Sequence, residues 1–221
     1  MIIATTRRSG RKARVIIETH RRSLFDQIDG AAARGRFSAI RARALYTLAI
    51  TTGLRLTECL ELDLGDVVDL VRTNGRRTAK IRSVLELEAH KAKLGQPDTI
   101  TIGRGARAAL ARLVEAMRAG VFEPGWQQSP LFITGRGRGS ESGGKRLPKR
   151  AAQADFTHWQ RVASIAPRYR WHDLRHTAIT RFAELAGGDA FKVAAFARHR
   201  DIRNSQRYVH TAGVAAIAEE L

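Results

Sequence analysis

The sequence predicts an α+β domain that is mainly α-helical and carries a small antiparallel β-sheet on one side. Three observations lead there. Apolar residues recur at helical spacing between glycine breaks, one pair of short segments alternates apolar with polar residues, and 43% of the 221 residues are hydrophobic. That is enough apolar surface for one substantial core, while two full domains would crowd a chain of this length.

Residues 1–14 contain Arg7, Arg8, Arg11, Lys12 and Arg14 without an apolar period. They are assigned to a basic N-terminal arm, and residues 15–221 to the folded domain. Leu45, Leu48 and Ala49 mark a core-facing helix that breaks at Gly53, and a new helix follows with Leu56, Cys59, Leu60 and Leu62. From Val84 to His90, Leu85, Leu87 and Ala89 alternate with Glu86, Glu88 and His90; Thr99, Ile100, Thr101 and Ile102 answer them after the turn KLGQPD. This pattern predicts a β-hairpin with Lys91 and Lys93 at its tip. Leu110, Leu113, Val114 and Met117 lie on one helical face between Gly105 and Gly120. Gly135 to Arg150 is rich in Gly, Ser and cations, the composition of a mobile loop able to follow a phosphate backbone. Asp155 is expected to cap a helix carrying Phe156 and Trp159. Leu174, Ala178, Phe182 and Leu185 predict another that ends at Gly187-Gly188, and Asp189 is expected to cap a last one with Val193, Phe196 and Ala197.

With 39 Lys and Arg against 21 Asp and Glu, the formal net charge is +18, which points to a nucleic acid as partner. Aromatic residues make up only 6%, so stacking platforms for single-stranded RNA are few, which weighs against a plain RNA-binding protein; charge alone does not separate it from a DNA-binding one. Cys59 is the single cysteine; it excludes an internal disulfide and a zinc site built on cysteine pairs, and reads as a small core residue. The first residues place a very short apolar stretch before the arginines, the wrong order for a secretory signal, and no run approaches membrane-spanning length. A soluble, cytoplasmic protein with no membrane partner is expected. Glu58, Glu61, Asp63, Asp66 and Asp69 cluster in sequence and raise a metal-dependent nuclease as a competing class. Helix-start electrostatics and a solvated face explain them, which disfavours that class.

The residues suited to chemistry concentrate toward the C-terminus. His172 and Arg175 stand three apart at a predicted helix start, so both can point toward an N-terminus that favours an anion. The arginine offers a planar fork for two phosphate oxygens, and the histidine exchanges a proton near neutral pH. His176 is assigned to packing or to support of these groups. Arg55 sits at the Gly53 junction between two core helices, where an ion pair with Glu58 is the plain structural alternative. Tyr208 follows a polar, basic run. A phenol with a pKa of about 10 is a poor nucleophile unless cations and a base surround it, and Arg55, Arg175 and His172 are of the right kinds.

Taken together, TTGLRLTE around Arg55, HDLRHT around Arg175 and ARHRDIRNSQRYVH ending near Tyr208 resemble the conserved boxes of the tyrosine recombinases, the phage integrase family. They occur in the family's order, and the resemblance spans roughly residues 15 to 210. It implies the fold of these DNA breaking-rejoining enzymes and a site-specific recombinase or integrase activity. By this resemblance Arg55 and Arg175 clamp the scissile phosphate, and His172 assists as a base. Tyr208 attacks phosphorus to leave a 3′-phosphotyrosyl link and a free 5′-hydroxyl, Lys93 protonates that leaving oxygen, and His199 hydrogen-bonds the phosphate. No cofactor or metal is implied. The resemblance also implies a homo-oligomer on double-stranded DNA.

The sequence departs from the family pattern in three places. Lys93 lies in a hairpin with one glycine and with Asp98 where an arginine is usual, which leaves Lys91 as the alternative acid. Arg198 replaces the glycine that usually precedes the second histidine. About fourteen residues, five of them basic, stand where a full integrase carries a helical core-binding domain, so grip on DNA is expected to need an accessory DNA-binding protein or dense packing of copies. The segment after Tyr208 either docks on a neighbouring protomer or folds back as a cap. Two competing readings share these residues: a catalytically silent DNA-binding relative, and a type IB topoisomerase-like enzyme that lets the nicked strand rotate.

Overall fold

A computed structural model describes residues 14–73, 76–92, 97–117, 124–135, 144–206 and 208. The helices are α1 (Glu18–Ala33), α2 (Phe37–Thr52), α3 (Leu56–Glu61), α4 (Leu64–Val67), α5 (Arg104–Met117), α6 (Lys149–Val162), α7 (Trp171–Leu185) and α8 (Ala190–Ala197). Four strands lie between α4 and α5: β1 (Val68–Thr73), β2 (Arg76–Ile81), β3 (Val84–Leu87) and β4 (Asp98–Thr101). The architecture is α+β and mainly helical, as the sequence predicts.

The middle of the core is α2, which packs against α1, α5 and α7. Every residue from Ala44 to Ile50 is buried, so this part of the helix is covered around its whole circumference and keeps no solvent face. It stops at Gly53, whose φ of 66° closes the helix with an N–H bond to the Ala49 carbonyl. The left-handed backbone is what favours glycine there; an added Cβ would stand 3.4 Å from the Phe196 ring, at van der Waals contact. Tyr46, Phe156 and Trp171 meet edge to face with ring centroids 5.2–5.6 Å apart, which locks α2, α6 and the first residue of α7 together.

The chain entering α1 is clipped to α7. The Arg14 N–H donates to the Asp173 carboxylate at 3.0 Å and the Ile16 N–H to the Thr177 hydroxyl at 2.8 Å. The Arg14 guanidinium lies over the Tyr169 ring, 4.7 Å from its centroid. Residues 1–13, with the other cations of the proposed arm, lie outside the described residues.

The predicted hairpin is present: β3 and β4 pair antiparallel from Val84↔Thr101 to Leu87↔Asp98, with Leu85 and Leu87 turned into the core. A second hairpin, β1–β2, was not expected. It pairs Val68↔Ile81 through Thr73↔Arg76, leaving Asn74-Gly75 between the strands, and Asn-Gly is the strongest short-range hairpin signal a sequence offers. The β-structure is thus two two-stranded sheets, each extended by one further hydrogen bond at its open end: the Arg82 N–H to the Val67 carbonyl beyond β1–β2, and the Ile102 N–H to the Ser83 carbonyl beyond β3–β4.

Two local expectations are corrected. Asp155 does not cap a helix: α6 begins at Lys149 after Pro148, and Asp155 lies inside it, paired with the buried guanidinium of Arg41. The basic stretch from Gly135 to Arg150 does not project all its cations outward. Its described part returns to the core, with the Leu147 N–H donating to the Phe132 carbonyl and Arg146 donating to the Leu60 carbonyl and Asp63, each at 2.6 Å. Residues 136–143 lie outside the described residues. By contrast, α7 ends before Gly187 and Gly188, both with positive φ, and Asp189 caps α8 by accepting from the Phe191 and Lys192 N–H groups.

Candidate active site

Arg55 is the residue just before α3. Its own N–H donates to Glu58 at 2.7 Å, and its guanidinium donates to the other oxygen of the same carboxylate, also at 2.7 Å. The ion pair allowed for on plain structural grounds therefore exists, and it fixes the arginine in place. Glu58 is buried and accepts a third bond, 2.7 Å from the Arg198 guanidinium. Burial alone pushes the Glu58 carboxyl up, but Arg198 and then Arg55 outweigh it and hold the group below the ordinary carboxylate range.

Arg175 reaches the same region from α7. It is buried, and its two terminal nitrogens donate to the Gly53 carbonyl and the Ala197 carbonyl. One guanidinium thus bridges the end of α2, two residues before Arg55, and the end of α8, two residues before His199. Burial, with Arg55 and Arg198 nearby, lowers its pKa to about 10. A buried cation beside two like charges is a place where a further anion is favoured.

The expectation that an anion would sit at the N-terminus of α7 is not met in that form. The Asp173 carboxylate occupies this end, accepting from the Arg170 N–H at 2.7 Å and from the Arg14 N–H. His172 projects from the first turn of α7 as an exposed side chain. The positive site is formed instead by arginines from three stretches of chain, beside a cleft of about 380 Å³ lined in part by Arg55, Glu58, Asp98, Arg198, His199 and Arg200.

Tyr208 is buried, its ring packed with Ile179, Ala183, Val193 and Ala197 between α7 and α8. Its hydroxyl lies 3.1 Å from His176 Nδ1, and the ring is partly stacked on His199 at a centroid distance of 6.3 Å. His199 Nδ1 is 2.9 Å from the Ser205 hydroxyl, which fixes the ring's orientation. Sequence reasoning placed His176 only in packing or support. The signal that could have promoted it is its position one residue after Arg175, on the turn of α7 that meets the tyrosine.

Of the six predicted site residues, Arg55, Arg175, His199 and Tyr208 converge, His172 stands at the exposed start of α7, and Lys93 lies outside the described residues. Lys91 is taken up elsewhere: its ammonium is bound by Asp63 at 3.1 Å and Asp66 at 2.7 Å. The acidic cluster is likewise engaged with cations, Asp63 with Arg146, Asp69 with Arg82, and Glu58 with Arg55 and Arg198. Among the described residues no group of three His, Cys, Asp or Glu side chains is placed to hold a metal ion, and no helix is long and apolar enough to cross a membrane. Cys59 is fully buried, as expected of a core residue.

This arrangement of two arginines, a histidine and a tyrosine agrees with a match to the phage integrase family model over residues 22–213. The chain belongs to the phage integrase family. The tyrosine recombinase XerC of Haemophilus ducreyi is 30% identical over 171 residues, covering 77% of this chain and 48% of the relative. The XerC of Mycobacterium bovis is 30% identical over 187 residues, covering 83% and 54%. The chain spans about half the length of the curated relatives it matches. Among solved structures, XerA recombinase aligns with a TM-score of 0.65 at 16% identity over 97% of this chain and 65% of that one. XerH bound to palindromic difH substrate in a post-cleavage complex aligns with a TM-score of 0.66 at 15% identity over 95% of this chain and 53% of that one. These likenesses show that the phage integrase fold extends over nearly all of the chain.

Proposed function

We propose that the chain is the catalytic domain of a site-specific tyrosine recombinase, which cleaves and rejoins double-stranded DNA through a 3′-phosphotyrosyl intermediate. The observation that carries this reading is that Arg55 and His199 line one cleft, while the buried Arg175 bridges the Gly53 and Ala197 carbonyls behind them and the buried Tyr208 stacks on His199, four residues from parts of the chain far apart in sequence. The Tyr208 oxygen attacks the scissile phosphorus as the bond to the 5′-oxygen breaks. Lys93 delivers a proton to that oxygen, and Arg55 and Arg175 neutralise charge that grows on the non-bridging oxygens. The reverse attack by a 5′-hydroxyl reseals the strand, so no external energy source enters the balance. Removal of the phenolic proton falls to His172 by family resemblance and to His176 by geometry, since His176 stands 3.1 Å from the hydroxyl. DNA-bound oligomers and an accessory DNA-binding protein complete the proposal.

Covalent trapping on nicked suicide duplexes without added metal tests it. Wild type is expected to form a denaturation-resistant adduct that Tyr208→Phe does not form. Equal DNA binding by both proteins with no adduct from either, across a library randomised at the duplex centre, would favour a silent DNA-binding relative. An adduct accompanied by supercoil relaxation and no strand exchange would favour the topoisomerase-like reading.

A further inference from the structure

Arg198 is held in a backbone conformation that arginine does not favour. It ends α8 with φ 52° and ψ 48°, the left-handed region where glycine is the usual occupant. Local preference therefore does not account for an arginine here, and a non-glycine residue persists in this region only where its surroundings over-determine it. The side chain supplies the reason. Its Nη2 lies 2.7 Å from Glu58 and its Nε 3.4 Å from Asp98 at the start of β4, with only 12% of the side chain exposed. One residue thus ties the end of α8 to α3 and to the hairpin, and the next residue is His199.

The charge balance at Glu58 gives this tie a further consequence. Glu58 is a single buried carboxylate facing two guanidinium groups, Arg55 and Arg198. With Arg198 present, the carboxylate is shared, and Arg55 retains part of its positive charge toward the cleft. With Arg198 gone, the carboxylate is left to Arg55 alone and the two neutralise each other.

We propose that Arg198 is a positioning residue for strand cleavage: it shares Glu58 with Arg55, so that Arg55 faces the cleft as a net cation, while Asp98 anchors it to the hairpin. This rests on the recombinase reading above and adds a residue to the same site.

The test uses the full chain, nicked suicide duplexes from the randomised library, and three variants: Arg198→Ala, Glu58→Gln and the double variant. Arg198→Ala is expected to lower single-turnover cleavage at saturating DNA about tenfold or more while duplex affinity stays within about threefold of wild type. Adding Glu58→Gln is expected to restore most of that loss, because the carboxylate that then neutralises Arg55 is gone. Rescue separates this role from a direct phosphate contact or a folding defect, neither of which Glu58→Gln repairs. In the DNA-free protein, the Glu58 carboxyl carbon, followed by NMR, is expected to titrate at higher pH in Arg198→Ala than in wild type. Unchanged cleavage, a loss that Glu58→Gln does not repair, or an unmoved Glu58 titration overturns the proposal. If wild type itself forms no adduct on any duplex, the recombinase reading fails, and the titration alone decides whether Arg198 offsets Glu58.

Discussion

Replacing Arg175 by lysine is the sharpest test of how the site is built, because it keeps the charge and removes the fork. Two terminal nitrogens of the guanidinium serve two backbone carbonyls, those of Gly53 and Ala197. An ammonium at the end of a lysine reaches at most one of them from this position. The change therefore costs one charge-assisted hydrogen bond and leaves one carbonyl without its donor, about 1.5–3 kcal/mol. Against a total stability of about 5–15 kcal/mol the variant remains folded. For a chain of this size each kcal/mol moves the melting midpoint by about 2–4 °C, so Arg175→Lys is expected to melt about 3–12 °C below wild type. Differential scanning calorimetry on the DNA-free protein measures this without knowledge of a target site. A midpoint within about 1 °C of wild type would mean that the guanidinium does not join α2 to α8, and the geometric basis of the site would fall with it.

The sign of the Glu58 shift makes a second prediction. Its folded-state pKa lies below the unbound value of 4.5, so its contribution to stability is fully present above that pH and is lost as pH falls through the folded value. Glu58→Gln is expected to flatten the acid limb of a urea-unfolding series, and an unchanged limb would show that the carboxylate is not held by the two arginines. His176→Phe keeps a ring against Tyr208 and removes the nitrogen beside its hydroxyl. Single-turnover cleavage is expected to fall about 100-fold, whereas full activity here together with a comparable loss in His172→Gln would assign the proton to His172.

The parts of the fold that are legible in the sequence are those set by local periodicity. The α5 stripe, the Gly53 break, the Asp189 cap and the β3–β4 alternation all depend on residues a few positions apart, and each is where it was expected. Asp155 misleads because its short acidic side chain satisfies a helix-start rule, while its actual partner, Arg41, comes from a helix more than a hundred residues away. Arg146 misleads similarly, since a cation in a glycine-rich run carries no mark of the carbonyls it will meet. The β1–β2 hairpin carried a readable Asn-Gly signal that its many charged neighbours obscured. In the candidate site, the three boxes point to Arg55, Arg175, His199 and Tyr208, whereas the Arg198–Glu58 pair and the His176–Tyr208 contact arise only when α3, α7 and the end of α8 are brought side by side.

The clip between the entry segment and α7 makes that helix a lever. Whatever precedes residue 14, its pull reaches the chain at the Arg14 and Ile16 amides, and these are bonded to Asp173 and Thr177, which flank Arg175 two residues to either side. A displacement of the chain at residue 14 is therefore transmitted first to the turn that carries the buried arginine, before it reaches α1. The entry segment and the turn that carries Arg175 are thereby mechanically connected, joined through two backbone-to-side-chain hydrogen bonds.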